Sequence, residues 1–315
     1  MDIHQLRLFL AIYEKGSLSA AADSCRIAVS AVSQHMANLE TEMGTPLFAR
    51  MPRGMKPTAA GHRLATHART VLEAVAAAKQ DIRSLSGEVE GKVSVGMANS
   101  VVSVIGGAFL KQMRDDYPLV KISLEAGVSS DHVAKQLKQK MDIALVFNPA
   151  PDADMTCDPI VEEQLFCIGD ARFLGTEDKP IALEELLSLP LILPHQGETM
   201  RALVGQSKLL RRLERDALYQ LNSVQGIREA LFAGLGVTIA SPQLIAHDCR
   251  AEGTRMRPIT SPALSRTLCI CEDKTRPSTA AREACRPMLQ TLLHRYRGSE
   301  NWPNSRKIGA KVEKT

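Results

Sequence analysis

The chain has 315 residues, 44% of them hydrophobic, and this length predicts about two domains, each large enough for its own core. The formal net charge of +4 is too small for a basic surface over the whole chain, so any contact with nucleic acid must be local. The sequence has no apolar run of the ~18 residues that a membrane span needs, and seven scattered cysteines favour a reducing compartment, the cytoplasm.

Two short helices are predicted at the N-terminus. Apolar residues recur at i, i+3, i+4 and i+7 from Leu6 to Tyr13, which predicts one helix that ends at Gly16. A second helix is predicted to begin at Ser17, whose hydroxyl is suited to cap it. Small residues form its predicted buried face and would let another helix approach closely: Ala20, Ala21 and Cys25.

A third helix is predicted to begin with Ser30 as its cap and to bury Val32, Met36 and Leu39. Its opposite face carries short side chains: Ser30, Ser33, Gln34, Ala37 and Asn38. A helix, a short turn and a second helix with such a face is the arrangement that reads the DNA major groove. The alternative is a solvated face on a small helical subdomain, and the spacing alone does not decide between the two.

A β-hairpin wing is predicted after the third helix. Leu47 and Phe48 form a short apolar strand, and Pro52 and Gly54 favour a turn before the chain returns through Pro57. Three basic residues of this wing are candidates for contacts with DNA phosphates: Arg50, Arg53 and Lys56.

The segments LRLFLAIYEKGSLSAAA, AVSQHMANLETEMGTPLFAR and RGMKPTAAG resemble the winged helix-turn-helix of LysR-type transcriptional regulators. The match runs from Leu6 to Leu64, weaker similarity extends to about residue 296, and RGMKPTAAG and HARTVL further resemble the nitrogen assimilation control subgroup. The resemblance implies a mostly helical domain at 1–58 with double-stranded DNA as its partner. Val29 and Gln34 depart from the residues usual in the family, which puts the identity of the contacted bases in doubt.

Residues 59–90 predict a long helix followed by a polar hinge. Its apolar residues are spaced alternately four and three apart, as in a coiled coil: Leu64, Ala68, Val71, Val75, Ala78, Ile82 and Leu85. The alternative is an ordinary amphipathic helix docked on its own domain. The resemblance implies a linker helix that pairs with its twin over 59–88, giving a homodimer, and a homotetramer as the functional unit.

The remaining residues alternate between strand-like and helix-like segments, which predicts an α/β fold with a parallel or mixed sheet. The predicted strands are KVSVGM, VKISLE, DIALVF, LILP, VTIA and TLCIC, and the predicted helices cover 101–115, 130–140, 182–188, 200–215, 224–233 and 278–294. The resemblance implies a two-lobed effector domain at 91–297, similar to periplasmic binding proteins. Lobe one would comprise 91–161 and 268–297, lobe two 162–267, and 298–315 is predicted to be a disordered tail.

Three strand-to-helix junctions carry hydroxyl or amide side chains beside backbone N–H groups, which suits an anionic ligand: Asn99–Ser100, Ser129–Ser130 and Ser223. The alternative at each junction is plain helix capping. Phe147 and His195 follow strands and are candidate walls of a site, although such a histidine is as readily an incidental loop residue. The resemblance implies that the three junctions converge on one cleft that holds a small anionic or polar metabolite as co-inducer.

The leading prediction is a sequence-specific transcriptional regulator switched by an effector between two lobes. The second is a small-molecule (anion) binding module whose helical N-terminus serves only oligomerisation. An enzyme ranks last, because the sequence shows no nucleophile–base or metal-ligand constellation, so no catalytic residue, metal or other cofactor is predicted. RNA polymerase is a further partner expected of such a regulator.

Overall fold

The structure is a computed structural model, and it describes residues 1–52, 54–84, 88–127, 133–177, 179–194, 212–213, 215–221, 223–246, 248 and 253–308. The chain divides into two compact units. The N-terminal unit covers 1–87 together with 275–280, and the C-terminal unit covers 88–274 and 281–315.

Four helices and a two-stranded hairpin make up the N-terminal unit: α1 Ile3–Lys15, α2 Leu18–Cys25, α3 Val29–Met43, β1 Phe48–Met51, β2 Gly54–Pro57 and α4 Ala59–Ser84. Asp2 caps α1, because its carboxylate accepts a hydrogen bond from the Gln5 N–H while the Gln5 side chain accepts one from the Asp2 N–H. Gly16 ends α1 in the left-handed conformation, as predicted.

The start of α3 differs from the prediction. Ser17 caps α2 as predicted, but α3 begins at Val29, and the residue before it, Ala28, makes no side-chain cap. Ser30 therefore lies inside the first turn of α3, and its predicted capping role is wrong. The buried small residues of α2 are Ala21 and Ala22, whereas the predicted Ala20 and Cys25 are only half-buried.

The wing is joined to the helices by backbone contacts. The Met55 N–H donates to the Gly16 carbonyl over 2.7 Å, and a Cβ at Gly54 would stand only 2.4 Å from that oxygen. Gly54 also has φ +126, so this position requires glycine. The Glu40 carboxylate of α3 accepts hydrogen bonds from the N–H groups of Leu47 and Phe48, which fixes the wing to α3.

The C-terminal unit contains twelve described strands: β3 Gly91–Met97, β4 Val120–Ala126, β5 Ile143–Phe147, β6 Met155–Gln164, β7 Phe166–Asp170, β8 Ile181–Ala182, β9 Leu191–Pro194, β10 Ala217–Leu221, β11 Val237–Ala240, β12 Thr254–Thr260, β13 Ser265–Asp273 and β14 Ser305–Lys307. Its described helices are α5 Asn99–Val101, α6 Gly107–Asp116, α7 Val133–Gln139, α8 Ala171–Leu174, α9 Leu183–Leu186, α10 Val224–Phe232 and α11 Ala280–Tyr296. A π-helical turn, Val102–Gly106, joins α5 to α6, and a 3₁₀ turn covers Pro242–Leu244.

These strands form two mixed six-stranded sheets, one in each lobe. The order is β14-β6-β13-β5-β3-β4 in lobe one and β10-β9-β11-β7-β12-β8 in lobe two. In lobe one β3 is parallel to β4 and β5, whereas β13 is antiparallel to β5 and β6. The predicted two-lobed α/β fold is confirmed, and all six predicted strands are present. The predicted helix at 200–215 lies mostly outside the described residues.

The chain crosses between the lobes at two adjacent points. Strand β6 continues to Gln164 and pairs with β13 from Ser265 onward. At the crossing, the Leu165 N–H donates to the Leu264 carbonyl over 2.8 Å. The predicted lobe boundaries at 161/162 and 267/268 therefore fall inside two continuous strands of lobe one.

The predicted disorder of the tail is wrong for residues 298–308. Strand β14 pairs with β6, and Trp302, the single tryptophan of the chain, is fully buried in the core of lobe one. The basic residues of the tail suggested disorder, but one large apolar side chain provides enough burial to anchor the segment. Residues 309–315 lie outside the described part.

Candidate functional site

The predicted recognition face of α3 is accessible in the N-terminal unit. Ser30, Gln34, Ala37 and Asn38 are exposed and Ser33 is half-buried, while Val32, Met36 and Leu39 on the opposite face are buried. The Gln34 Nε2 donates to the Asn38 Oδ1 over 3.0 Å. This contact between residues one helical turn apart orders two amide side chains on a surface that can meet base edges.

Of the three basic residues predicted on the wing, the structure describes the side chain of one. Lys56 is exposed on β2, and Arg50 pairs through its backbone with Met55. The side chain of Arg50 and the whole of Arg53 lie outside what the structure describes.

The predicted seam of α4 divides into two parts. Leu64 is half-buried and Ala68 fully buried in the core that α1, α2 and α3 share with α4. Farther along α4, Val71 is 40% and Ile82 69% exposed. The start of α4 therefore packs on its own domain, as the alternative predicts. The residues left for contact with a partner are Val71, Val75, Ala78 and Ile82, and we call them the free part of α4. Leu85 lies outside the described residues.

Several residues that could bind a ligand lie at the edge of the lobe-one sheet where β3 and β5 end. Asn99 and Ser100 follow β3, and Phe147 is the last residue of β5. Arg266, near the start of the antiparallel strand β13, reaches the same edge: its Nη2 donates to the Ser100 Oγ over 2.9 Å, and its Cζ lies 3.6 Å from the centroid of the Phe147 ring. We call these four residues, Asn99, Ser100, Phe147 and Arg266, the cleft group.

A buried carboxylate fixes the arginine of the cleft group. Arg266 Nε donates to Glu163 Oε2 over 2.5 Å, and Glu163 is fully buried. The other oxygen, Glu163 Oε1, accepts from Ser241 Oγ over 2.8 Å and from Trp302 Nε1 over 2.7 Å. A buried carboxylate with one cation and two further donors is well satisfied, so Arg266 is held in a defined position.

The strand-to-helix junctions predicted to bind an anion differ in what their side chains contact. Asn99 is exposed, and the residue that precedes α5, Ala98, makes no side-chain cap. Ser100 contacts an arginine rather than backbone N–H groups. Ser223 caps α10, because its Oγ accepts from the Gly226 N–H over 2.9 Å, as the capping alternative predicts. Ser129, Ser130 and His195 lie outside the described residues.

Among the described cysteines, neither Cys157 nor Cys167 has an activated thiol, because burial raises the pKa of both. Cys167 lies in lobe two, where burial raises the pKa of its thiol to about 12. Cys157 lies in lobe one and contacts Cys271 across β6 and β13, with 3.3 Å between the two Sγ atoms. Within the described ranges, no group of three or more His, Cys, Asp or Glu side chains is arranged to hold a metal ion. No described helix is long and apolar enough to cross a membrane.

Two family models match most of the chain. The model described as "Bacterial regulatory helix-turn-helix protein, lysR family" matches residues 3–62, and the model described as "LysR substrate binding domain" matches residues 86–293. The nitrogen assimilation regulatory protein nac of Klebsiella aerogenes is 29% identical over 299 residues, which is 94% of this chain and 96% of that protein. The protein of the same name from Escherichia coli (strain K12) is 29% identical over 297 residues, or 93% and 95% of the two chains.

Solved structures share the fold. A full-length OxyR variant from Pseudomonas aeruginosa has a TM-score of 0.70 at 20% identity, covering 100% of this chain and 99% of that one. Full-length CbnR in complex with its target DNA has a TM-score of 0.63 at 18% identity, covering 94% and 100%. The sequence matches confirm the resemblance predicted from the motifs, including the narrower similarity to nitrogen assimilation regulators.

Proposed function

Because this chain belongs to the LysR family of bacterial transcriptional regulators, we propose that α3 and the wing bind its operator and that a small anionic or polar metabolite in the cleft switches it. The observation that carries the effector proposal is the cleft group: an arginine held by a buried glutamate, lying over Phe147 and hydrogen-bonded to Ser100. Family membership favours this function over the alternative of an anion-binding module whose N-terminus serves only oligomerisation.

The proposed DNA contacts fall into two classes. Gln34 and Asn38, with Ser30, Ser33 and Ala37, would meet base edges in the major groove, because amide and hydroxyl groups can hydrogen-bond to bases and a small side chain permits close approach. The wing residues Arg50, Arg53 and Lys56 would neutralise phosphates, which positions the protein without selecting sequence.

The proposed effector site differs chemically from the one first expected. The sequence suggested hydroxyl and amide side chains beside backbone N–H groups, whereas the cleft group contains a guanidinium that is paired with the buried carboxylate of Glu163. A guanidinium favours carboxylate-like ligands because its planar fork can donate two hydrogen bonds. The ring of Phe147 is buried behind the guanidinium, so it supports Arg266 rather than offering a surface to the ligand. Ser129, Ser130 and His195 stay predictions, and Ser223 is assigned to capping.

The proposal also covers the oligomeric state, the cellular compartment and the protein partner. We propose a homodimer through the free part of α4, four chains in the functional unit, and action in the cytoplasm together with RNA polymerase. For an effector to switch such an assembly, it must bind one arrangement of the lobes more tightly than the other.

An electrophoretic mobility shift with the DNA upstream of the protein's own gene tests the proposal. We expect a shifted band that unrelated DNA of equal length does not compete away, and a change of mobility or affinity when fractions of a small-metabolite extract are added. Equal binding to both DNAs would contradict the regulatory function. Specific DNA binding that responds to no fraction would contradict the effector switch alone.

A further inference from the structure

The folded tail, residues 298–307, contacts the point where the two lobes join. It lies beyond residue 293, where the match to the family's effector domain ends. We call this segment the C-terminal clasp. Its position matters because the strands that carry Glu163 and Arg266 both cross between the lobes next to it.

The clasp first extends the lobe-one sheet up to the crossing point. Ser305 pairs with Glu163 in the antiparallel β14–β6 ladder. The Gln164 N–H donates to the Asn304 carbonyl over 2.9 Å, and the Asn304 Nδ2 donates to the Gln164 carbonyl over 2.7 Å. These bonds hold the clasp against the last residues of β6 before the chain leaves lobe one.

The clasp also bonds to lobe two. The Gln243 Nε2, in the 3₁₀ turn that follows β11, donates to the Asn301 carbonyl over 2.6 Å. Two residues earlier in lobe two, Ser241 donates to the same carboxylate oxygen, Glu163 Oε1, that accepts the indole N–H of Trp302. The clasp and lobe two thus meet on one buried carboxylate.

We propose that the C-terminal clasp sets the position of Arg266 in the cleft, with Trp302 and Glu163 as positioning residues of the effector site. The chain of contacts runs from the Trp302 Nε1 to Glu163 Oε1, and from Glu163 Oε2 to Arg266 Nε. Since Glu163 is fully buried, loss of one of its donors leaves the carboxylate oxygen less satisfied, and the carboxylate shifts or turns. Arg266 moves with it, and the cleft group loses its geometry. This inference rests on the proposed role of the cleft group in binding an effector.

The test measures the accessibility of Arg266 in the full-length protein. Trp302→Phe keeps a buried aromatic ring but removes the N–H donor and part of the indole volume, so a second arginine must report any general loosening of the fold. Phenylglyoxal labels arginine side chains, and peptide mass spectrometry gives the rate at each one. Arg282 is the internal reference, because it is also paired with a carboxylate, Glu272, and its side chain has the same 11% exposure as that of Arg266.

In Trp302→Phe we expect labelling at Arg266 to rise by roughly tenfold or more, the effect of losing one hydrogen bond to a charged group, while labelling at Arg282 stays unchanged. Lys307→Ala, an exposed change in the same segment, should alter neither rate. An unchanged rate at Arg266 would overturn the proposal. An equal rise at Arg266 and Arg282 would also overturn it, since that outcome reports general loosening of the fold.

Asn304→Ala provides a second variant if Trp302→Phe does not fold. It removes the side-chain bond from the clasp to the Gln164 carbonyl without changing a donor of the buried carboxylate, and we expect a smaller rise at Arg266 alone; no rise would count against the clasp. Labelling requires neither DNA nor effector. A protein that fails to respond to any metabolite can therefore still support the clasp, and a failed clasp leaves the proposed function standing.

Discussion

Arg266 lies over the ring of Phe147, with its Cζ 3.6 Å from the ring centroid, at the edge where the parallel strands of lobe one end. The guanidinium thereby covers a buried aromatic ring and puts a cation where the sequence suggested hydroxyl and amide groups. Such contacts are worth about 2 kcal/mol or more when the pair is removed from water. Arg266 also bonds to Glu163 and Ser100, so one side chain organises the cleft group.

The ion pair between Arg266 and Glu163 should be strongly coupled. Arg266→Gln leaves a buried carboxylate without its cation and should cost about 3–5 kcal/mol of unfolding free energy. The double variant Arg266→Gln/Glu163→Gln should cost clearly less than the sum of the two single changes. Urea unfolding followed by the fluorescence of Trp302, the single tryptophan, gives these values for the C-terminal unit.

A surface pair supplies the control for this cycle. Arg114 is 72% exposed and pairs with the neighbouring Asp115, so Arg114→Gln should change the free energy of unfolding by no more than about 1 kcal/mol. Strict additivity of Arg266→Gln and Glu163→Gln would show that the two side chains are not coupled.

Replacing Ser223 should affect stability, whereas replacing Ser100 should affect the response to the effector. Ser223→Ala removes the cap of α10 and should lower the free energy of unfolding by about 1 kcal/mol while leaving the response to effector unchanged. Ser100→Ala removes a contact of Arg266 and should weaken the response of DNA binding to active metabolite fractions while basal DNA binding persists. Loss of the response in Ser223→Ala, with stability intact, would return Ser223 to the effector site.

Gln34 and Lys56 should affect DNA binding in different ways. Gln34→Ala should weaken operator binding by about 1–3 kcal/mol and relax the preference at one base pair, because it removes a base contact and frees Asn38. Lys56→Ala should weaken binding to all sequences and reduce its dependence on salt, because it removes a phosphate contact. Fluorescence anisotropy titrations at several salt concentrations, with single-base operator variants, measure both effects.

Lys111→Ala is the matched control for Lys56→Ala, since it removes the same charge from an exposed position on α6 of the C-terminal unit. Its operator affinity should equal that of the unchanged protein. If Gln34→Ala and Lys56→Ala weaken every DNA sequence equally, α3 does not read bases in the manner proposed.

Local patterns predicted the N-terminal unit well, because its helices follow from apolar spacing and glycine stops. The error at Ser30 arose because the predicted cap lies two residues beyond the observed one, and the chain enters α3 from Ala28 without a side-chain cap. The buried face of α3 was nevertheless correct, since the burial of Val32 depends on helical period rather than on the exact first residue.

The cleft group could be predicted only in part. Asn99 and Ser100 follow a predicted strand and Phe147 ends one, so the ends of the strands pointed to them, but the contact between Arg266 and Glu163 joins residues 103 positions apart. This contact exists because β6 pairs with β13. Strand β6 was not predicted, because its charged residues obscure the alternation of apolar and polar side chains. Trp302 was missed for a similar reason: a lone apolar residue in a basic tail has no periodicity.

The free part of α4 should carry the dimer contact. Val71 is 40% exposed in the single chain, so Val71→Glu should barely change the stability of the N-terminal unit but would place a charge in the middle of a paired seam. We expect monomers with weak operator affinity, measured by sedimentation velocity and anisotropy.

Ala76→Glu is the matched control, because Ala76 is exposed on another side of the same helix, and this variant should stay dimeric. A dimeric Val71→Glu protein with normal operator affinity would contradict the seam, and dissociation of both variants would mean that the contact covers more of α4 than one face.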